Sequence, residues 1–91
     1  MSILLLEFAR SFVGERLPAG VFSEAYIELW KIERDKGILL RDAPALNECL
    51  SSIFCAADMY CADDELREEY EFNADQLRVE VCRLINDLEP D

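Results

Sequence analysis

The 91-residue chain has no histidine, and this absence excludes much of the chemistry open to a small protein. Without histidine, no serine or cysteine has the usual neutral-pH base beside it, and the common nitrogen ligand of zinc is missing. The glycines Gly14, Gly20 and Gly37 are isolated, so the chain has no glycine-rich phosphate loop. We therefore expect neither catalytic residues nor a cofactor, and we expect that the protein is not an enzyme.

Long apolar runs are also missing, and none approaches the length of a membrane span. Met1 and Ser2 lead directly into an apolar stretch that Glu7 and Arg10 soon interrupt, without the basic start of a secretory signal. The four cysteines, Cys49, Cys55, Cys61 and Cys82, include no Cys-x-x-Cys pair. We expect a cytoplasmic chain with reduced thiols and no metal site.

Basic residues are few: nine Lys and Arg stand against twenty Asp and Glu, which gives a net charge of −11. Nucleic acid and anionic membranes would repel such a chain, so we expect neither as a direct partner. A cationic protein is the favoured partner, because opposite charge speeds association and makes it sensitive to salt. Strong net charge also favours a monomer.

Hydrophobic residues make up 52% of the chain, and they recur at helical spacing in four stretches. The predicted helices are 2–17, with an apolar stripe that includes Arg16 at its end, 21–36, 42–61 and 73–88. Pro18, Ala19 and Gly20 break the first two helices apart. Gly37 fits the position just after the second helix. In the second helix, Ile32 or Glu33 ends the apolar stripe.

The two later helices have clear start signals. Asp42 is the predicted N-cap of the third helix, with Pro44 in its first turn. Asn73 with Gln76 forms a capping box for the fourth helix, which Pro90 ends. Four amphipathic helices with mostly short connections predict an all-α fold, an antiparallel four-helix bundle, and one domain over residues 1–91.

One connection is long, and it carries most of the charge. Residues 58–75, which we call the acidic segment, contain eight acidic residues and a single base, Arg67, and so contribute −7 of the net −11. Tyr60 and Tyr70 lie among the acids, where an aromatic side chain can anchor an interface. Long connections in compact domains are often functional. A charge run of this kind is also often only a solvated surface.

Several short stretches, in order, resemble the family of the colicin D immunity protein. They are Phe22-Ser23-Glu24, Leu46-Asn47, Phe54-x-Ala56-Ala57-Asp58, Tyr70-Glu71 and Leu77-Arg78-Val79-Glu80-Val81. The resemblance covers about residues 22–88, and length and acidity agree with it. It implies a small helical bundle made beside a toxin of the bacteriocin or contact-dependent inhibition type.

The resemblance also implies a partner, namely the basic C-terminal nuclease domain of a toxin that cuts transfer RNA. The immunity protein of such a pair covers the active site in a 1:1 heterodimer and presents negative charge where RNA phosphates would lie. An RNA-cutting site needs cationic side chains to hold phosphate, so an acidic surface is its complement. The predicted toxin-binding residues are Asp58, Tyr60, Asp63, Asp64, Glu65, Glu68, Glu69, Tyr70 and Glu71.

Other classes of function fit the same composition. An acidic nucleic-acid mimic that inhibits a DNA-binding protein would show the same charge pattern. A carboxylate-rich metal-binding protein is a further alternative, although the alternating acids and central glycine of an EF-hand loop are missing. A purely structural bundle could also associate with itself through an apolar face.

Overall fold

The structure, a computed structural model, describes residues 3–37 and 43–88, and four α-helices lie within these ranges. They are α1 (Ile3–Val13), α2 (Ala19–Asp35), α3 (Pro44–Asp58) and α4 (Ala74–Leu88). Helices α1 and α3 each pack against both α2 and α4. The protein is thus the all-α four-helix bundle that the apolar spacing predicted.

Aromatic side chains form much of the core. The rings of Phe12 on α1 and Phe22 on α2 stack with their centroids 4.2 Å apart, and both side chains are fully buried. The hydroxyl of Tyr26 donates a 2.8 Å hydrogen bond to the carbonyl oxygen of Leu50, which ties α2 to α3. Trp30 stacks on Phe54 at 4.3 Å in the same interface. Each such buried side chain contributes about 1.5–3 kcal/mol to stability.

Helix α1 is shorter than the apolar pattern predicted, because it ends at Val13 rather than near Leu17. Glu15 takes a left-handed backbone conformation with φ of 63°. Its N–H bonds the carbonyl of Phe12, and the N–H of Arg16 bonds that of Ser11, the two bonds of a Schellman turn. The predicted place of Arg16 on the apolar stripe is therefore wrong, since Arg16 is exposed and outside the helix.

Helix α2 begins two residues earlier than predicted. Pro18 is the N-cap, with extended backbone angles, and its carbonyl accepts the first helical bond from Phe22 at 3.0 Å. Ala19 and Gly20 therefore form the first turn instead of continuing the break. At the other end Gly37 has φ of 73°, as predicted for the position after the C-cap.

The structure resolves which of Ile32 and Glu33 ends the apolar stripe of the second helix, and it places Arg78 against α1. Glu33 is buried, with 7% of its surface exposed, whereas Ile32 is 48% exposed, so Glu33 ends the inward face of α2. Within the described ranges, Oε1 of Glu33 has no hydrogen-bond partner. The side chain of Arg78 on α4 reaches α1. It donates to the carbonyl of Phe12 and covers that ring at 4.8 Å.

Helix α3 has Pro44 at its start, as predicted, but its N-cap is Ala43. The prediction of Asp42 as N-cap is wrong by one residue. Asp42 itself lies outside the described residues, as do Ser2, where the first predicted helix starts, and Pro90. The helix ends at Asp58 rather than Cys61, because the chain there leaves the helix to pair with Phe72.

Helix α4 starts with the predicted capping box. Oδ1 of Asn73 accepts the N–H of Gln76 at 2.8 Å, and Oε1 of Gln76 accepts the N–H of Asn73 at 2.9 Å. This reciprocal pair satisfies two backbone donors that the first turn leaves open. The apolar face that follows buries Leu77, Val81 and Ile85. The acidic segment thus runs between two well-defined helix ends.

Candidate functional site

The acidic segment is closed at its base by backbone hydrogen bonds. The N–H of Cys61 bonds the carbonyl of Phe72 at 2.9 Å, and the N–H of Phe72 bonds that of Met59 at 2.9 Å. These bonds form an isolated parallel bridge between Tyr60 and Phe72. The two ends of the connection are therefore held together, and the acids between them project from a loop of defined shape.

Asp63 organises the first turn of this loop. Its Oδ1 accepts the N–H of Glu65 at 2.9 Å, and its carbonyl accepts the N–H groups of Leu66 and Arg67 at 3.2 and 3.0 Å. An aspartate that bonds the backbone two residues on is an Asx turn. One oxygen of this carboxylate is therefore occupied within the loop.

Glu71 organises the second turn in the same way. Its Oε1 accepts the N–H of Glu68 at 2.9 Å, and its own N–H donates to the carbonyl of Glu68 at 3.0 Å. The side chain and backbone of Glu71 thus close one ring around Glu68. Its carboxylate, like that of Asp63, fixes the loop.

Arg67, the only base of the segment, is turned inward, and only 17% of its side chain is exposed. Its Nε donates to the carbonyl of Cys61 at 3.0 Å, and its Nη1 lies 2.7 Å from Oδ1 of Asp64. Arg67 therefore joins the middle of the segment to its base and neutralises one acid. It was not among the predicted site residues, although its position as the sole base in an acidic run was a signal that it pairs internally.

The predicted acids consequently divide into two groups. Asp63, Asp64 and Glu71 have partners inside the loop. Within the described ranges, the other acids are exposed and their carboxylates have no hydrogen-bond or ion-pair partner; these are Asp58, Glu65, Glu68 and Glu69. We call these four the free acids. They are available to an incoming cation without the loss of an internal bond.

The two predicted aromatic anchors also differ. The ring of Tyr60 is half-buried against the core, and its backbone lies in the bridge to Phe72. Tyr70 is 67% exposed, and nearby along the loop Leu66 is 71% exposed. The geometry leaves Tyr70 available to a partner, whereas the role of Tyr60 as an anchor stays a prediction.

Other concave or carboxylate-rich places on the surface lack this concentration of one charge. A groove of about 390 Å³ between α3 and α4 has Glu48 and Asp87 but also Arg83 in its walls. Among the described residues, no three acidic or cysteine side chains are placed to hold a metal ion. The acidic segment is thus the candidate site, and its free acids are the carboxylates available to a cationic partner.

Comparison with known protein families places the chain in one of them. A family described as bacterial self-protective colicin-like immunity matches residues 1–88. The chain belongs to the colicin-like immunity protein family. No individual curated protein matches it significantly. The family confirms the resemblance found in the sequence.

Membership establishes the general role of this immunity protein: self-protection of the producing bacterium against a colicin-type toxin. Such a role requires that it bind a cognate toxin. In the part of the chain that the structure describes, no helix is both long and apolar enough to cross a membrane.

Proposed function

We propose that this immunity protein neutralises a nuclease toxin, of the kind that cuts transfer RNA, by covering its basic active site with the acidic segment. The complex is a 1:1 heterodimer of the monomeric immunity protein with the C-terminal nuclease domain, formed in the cytoplasm without a cofactor. The observation that supports this most is the set of four free acids, of which one ends α3 and three lie on a loop whose other acids hold it in shape.

Electrostatics supports a nuclease as the target. A site that holds RNA phosphates presents several cationic side chains, and the free acids offer carboxylates that bind these cations in place of the phosphates. Because the loop is already closed by Asp63, Glu71 and Arg67, little conformational entropy is lost when it binds. Inhibition then follows from occupancy, since RNA and the segment compete for the same cations.

The energy of such an interface is concentrated in few pairs. An exposed pair at the rim contributes little, whereas removal of one partner from a desolvated pair costs about 2–5 kcal/mol. We therefore expect one or two of the free acids to dominate binding.

The test is a titration of immunity protein into a transfer RNA cleavage assay with the toxin encoded beside its gene, at two salt concentrations. We compare the wild type with a variant in which the four free acids become Asn or Gln. The matched control replaces exposed acids elsewhere with Gln and loses the same charge; these are Glu15, Glu24, Glu28 and Glu48.

We expect stoichiometric inhibition by the wild type that weakens as salt rises. The free-acid variant should lose at least a hundredfold in affinity and most of its salt dependence, while the control stays within a few-fold of the wild type. Equal losses in both variants would show that overall charge, and not the acidic segment, determines binding. Tight binding without inhibition would move the contact away from the nuclease active site.

A further inference from the structure

A shallow hollow of about 270 Å³ lies where the acidic segment meets α4. It is lined by Phe72 at the end of the segment and by residues of the first turns of the helix, namely Asp75, Gln76, Val79 and Glu80. None of these residues belongs to the predicted toxin-binding set. The hollow is continuous along the chain with that set, because Phe72 directly follows Glu71.

The floor of the hollow is apolar and fixed. Phe72 is half-buried against the core, and its backbone is held by bonds to Met59 and Cys61. Val79 forms a wall and is 68% exposed, a large fraction for a valine on a helix with a well-buried opposite face. A preformed apolar hollow of this kind accepts a side chain at little conformational cost.

Two carboxylates line the hollow, and they differ in how tightly they are paired. The side chain of Asp75 is 94% exposed, with only a 3.7 Å contact to Arg78. Glu80 is bonded by Arg83 through both carboxylate oxygens, at 3.0 and 2.7 Å, and this bonding lowers the pKa of Glu80. Glu80 is therefore ionised at neutral pH. Because Arg83 neutralises Glu80, Asp75 is the more available of the two carboxylates. An apolar floor beside an exposed carboxylate is complementary to an apolar side chain next to Lys or Arg.

We infer that this hollow is the apolar anchor site of the toxin interface, and that it receives one aliphatic or aromatic side chain of the toxin next to a basic residue. The inference rests on the proposed function and adds to it a contact that charge alone does not supply. Protein interfaces concentrate binding energy in apolar pockets surrounded by polar residues. Charge steers the encounter, and the hollow gives the complex its selectivity for one toxin.

The test compares Val79→Gln with Val21→Gln, by calorimetric titration of the purified toxin encoded beside the gene, at two salt concentrations. Val21 is a matched control because it is 52% exposed and lies on α2 rather than at the hollow. Both substitutions lie on exposed helical faces, and thermal unfolding verifies that both variants fold. A second variant, Val79→Trp, fills the hollow with a bulky ring.

We expect Val79→Gln and Val79→Trp to weaken toxin binding at least tenfold, with a salt dependence equal to that of the wild type, while Val21→Gln binds normally. Wild-type affinity in both Val79 variants would overturn the anchor site and leave the proposed function standing. A wild-type protein that does not bind the toxin would overturn both. Sedimentation tests a further outcome. If the wild type forms a dimer and Val79→Gln does not, the hollow binds a second copy of the chain, and the inference is overturned.

Discussion

The Nε of Arg67 lies 3.0 Å from the carbonyl oxygen of Cys61. The only basic side chain of the acidic segment therefore bonds the backbone at the point where the loop is closed. The same side chain holds Asp64 at 2.7 Å, yet Asp64 is 86% exposed, so the ion pair itself adds little to stability. The bond to the carbonyl is the more important of the two, because it spans six residues and connects the middle of the loop to its closed end.

Replacement of Arg67 by Met should weaken toxin binding although it makes the protein more acidic. We expect a loss of about 1–2 kcal/mol in the free energy of unfolding, from the missing charged hydrogen bond. A lower toxin affinity should follow, because the free acids are no longer held in place. Denaturant unfolding and toxin titration measure the two effects.

Lys31→Met is the control for this charge change. Lys31 is exposed on α2, and its ion pair with Glu28 is long at 4.0 Å. It removes the same positive charge without altering the loop. Tighter toxin binding by Arg67→Met than by Lys31→Met would contradict the structural role of Arg67 and show that total charge decides affinity.

Asp63 should respond differently to two small substitutions. Asn keeps an oxygen that can accept the N–H of Glu65, whereas Ala removes the acceptor, and both remove the charge. We expect Asp63→Asn to bind toxin almost as the wild type does. Asp63→Ala should lose about 1 kcal/mol of binding free energy, the usual contribution of one hydrogen bond. Calorimetric titration measures the toxin affinity of both variants. An equal loss of affinity in Asp63→Asn and Asp63→Ala would mean that the charge of Asp63 contacts the toxin directly.

The sequence predicted those features that short-range signals determine. Asn73 and Gln76 lie three residues apart and cap the same turn, so their bond could be inferred from spacing alone. The helix pattern failed at Glu15, because Leu17 follows Val13 at helical spacing and no glycine occupies the left-handed position. The spacing of apolar residues indicates which face of a helix is buried. Where the helix ends depends on the backbone conformation of the residue that follows it.

The acidic segment was recognisable from composition, but the division of its acids was not. Asp63 and Glu68 have the same charge sign and similar neighbours in the sequence, yet Oδ1 of Asp63 closes a turn while the carboxylate of Glu68 is free. Such differences depend on which N–H groups the folded loop brings within 3 Å. The hollow beside Val79 was missed for the same reason, since Phe72 reaches it only through the bridge to Tyr60.

Tyr26 should make the protein sensitive to alkali. Burial, followed by the nearby Cys49 and Glu33, raises the pKa of this phenol well above its ordinary value of about 10. Above that pH the unfolded chain loses the proton and the folded chain keeps it, so the unfolded state is favoured. Stability from this group is therefore complete below about pH 10 and falls as pH rises further.

Tyr26→Phe should lower the free energy of unfolding by about 1 kcal/mol at pH 7, because the bond to Leu50 is lost. Between pH 9 and 11 its stability should fall less steeply than that of the wild type. Tyr70→Phe is the control, since that ring is 67% exposed. Urea unfolding at each pH measures the free energy of unfolding. If it falls in parallel with pH for the wild type and Tyr26→Phe, the phenol of Tyr26 is not the source of the alkaline sensitivity.

Glu15→Gly should stabilise the protein. A residue with a side chain costs about 1–2 kcal/mol in the left-handed region, and Gly avoids this strain while the unfolded chain gains some entropy. The net gain should be about 0.5–1 kcal/mol, and both bonds of the Schellman turn remain. Gly37→Ala is the reverse experiment: its φ of 73° imposes the same strain, although no atom lies within 4 Å of an added Cβ. In thermal unfolding, the melting temperature should rise for Glu15→Gly and fall for Gly37→Ala. A fall for Glu15→Gly would show that the Glu15 side chain stabilises the end of α1.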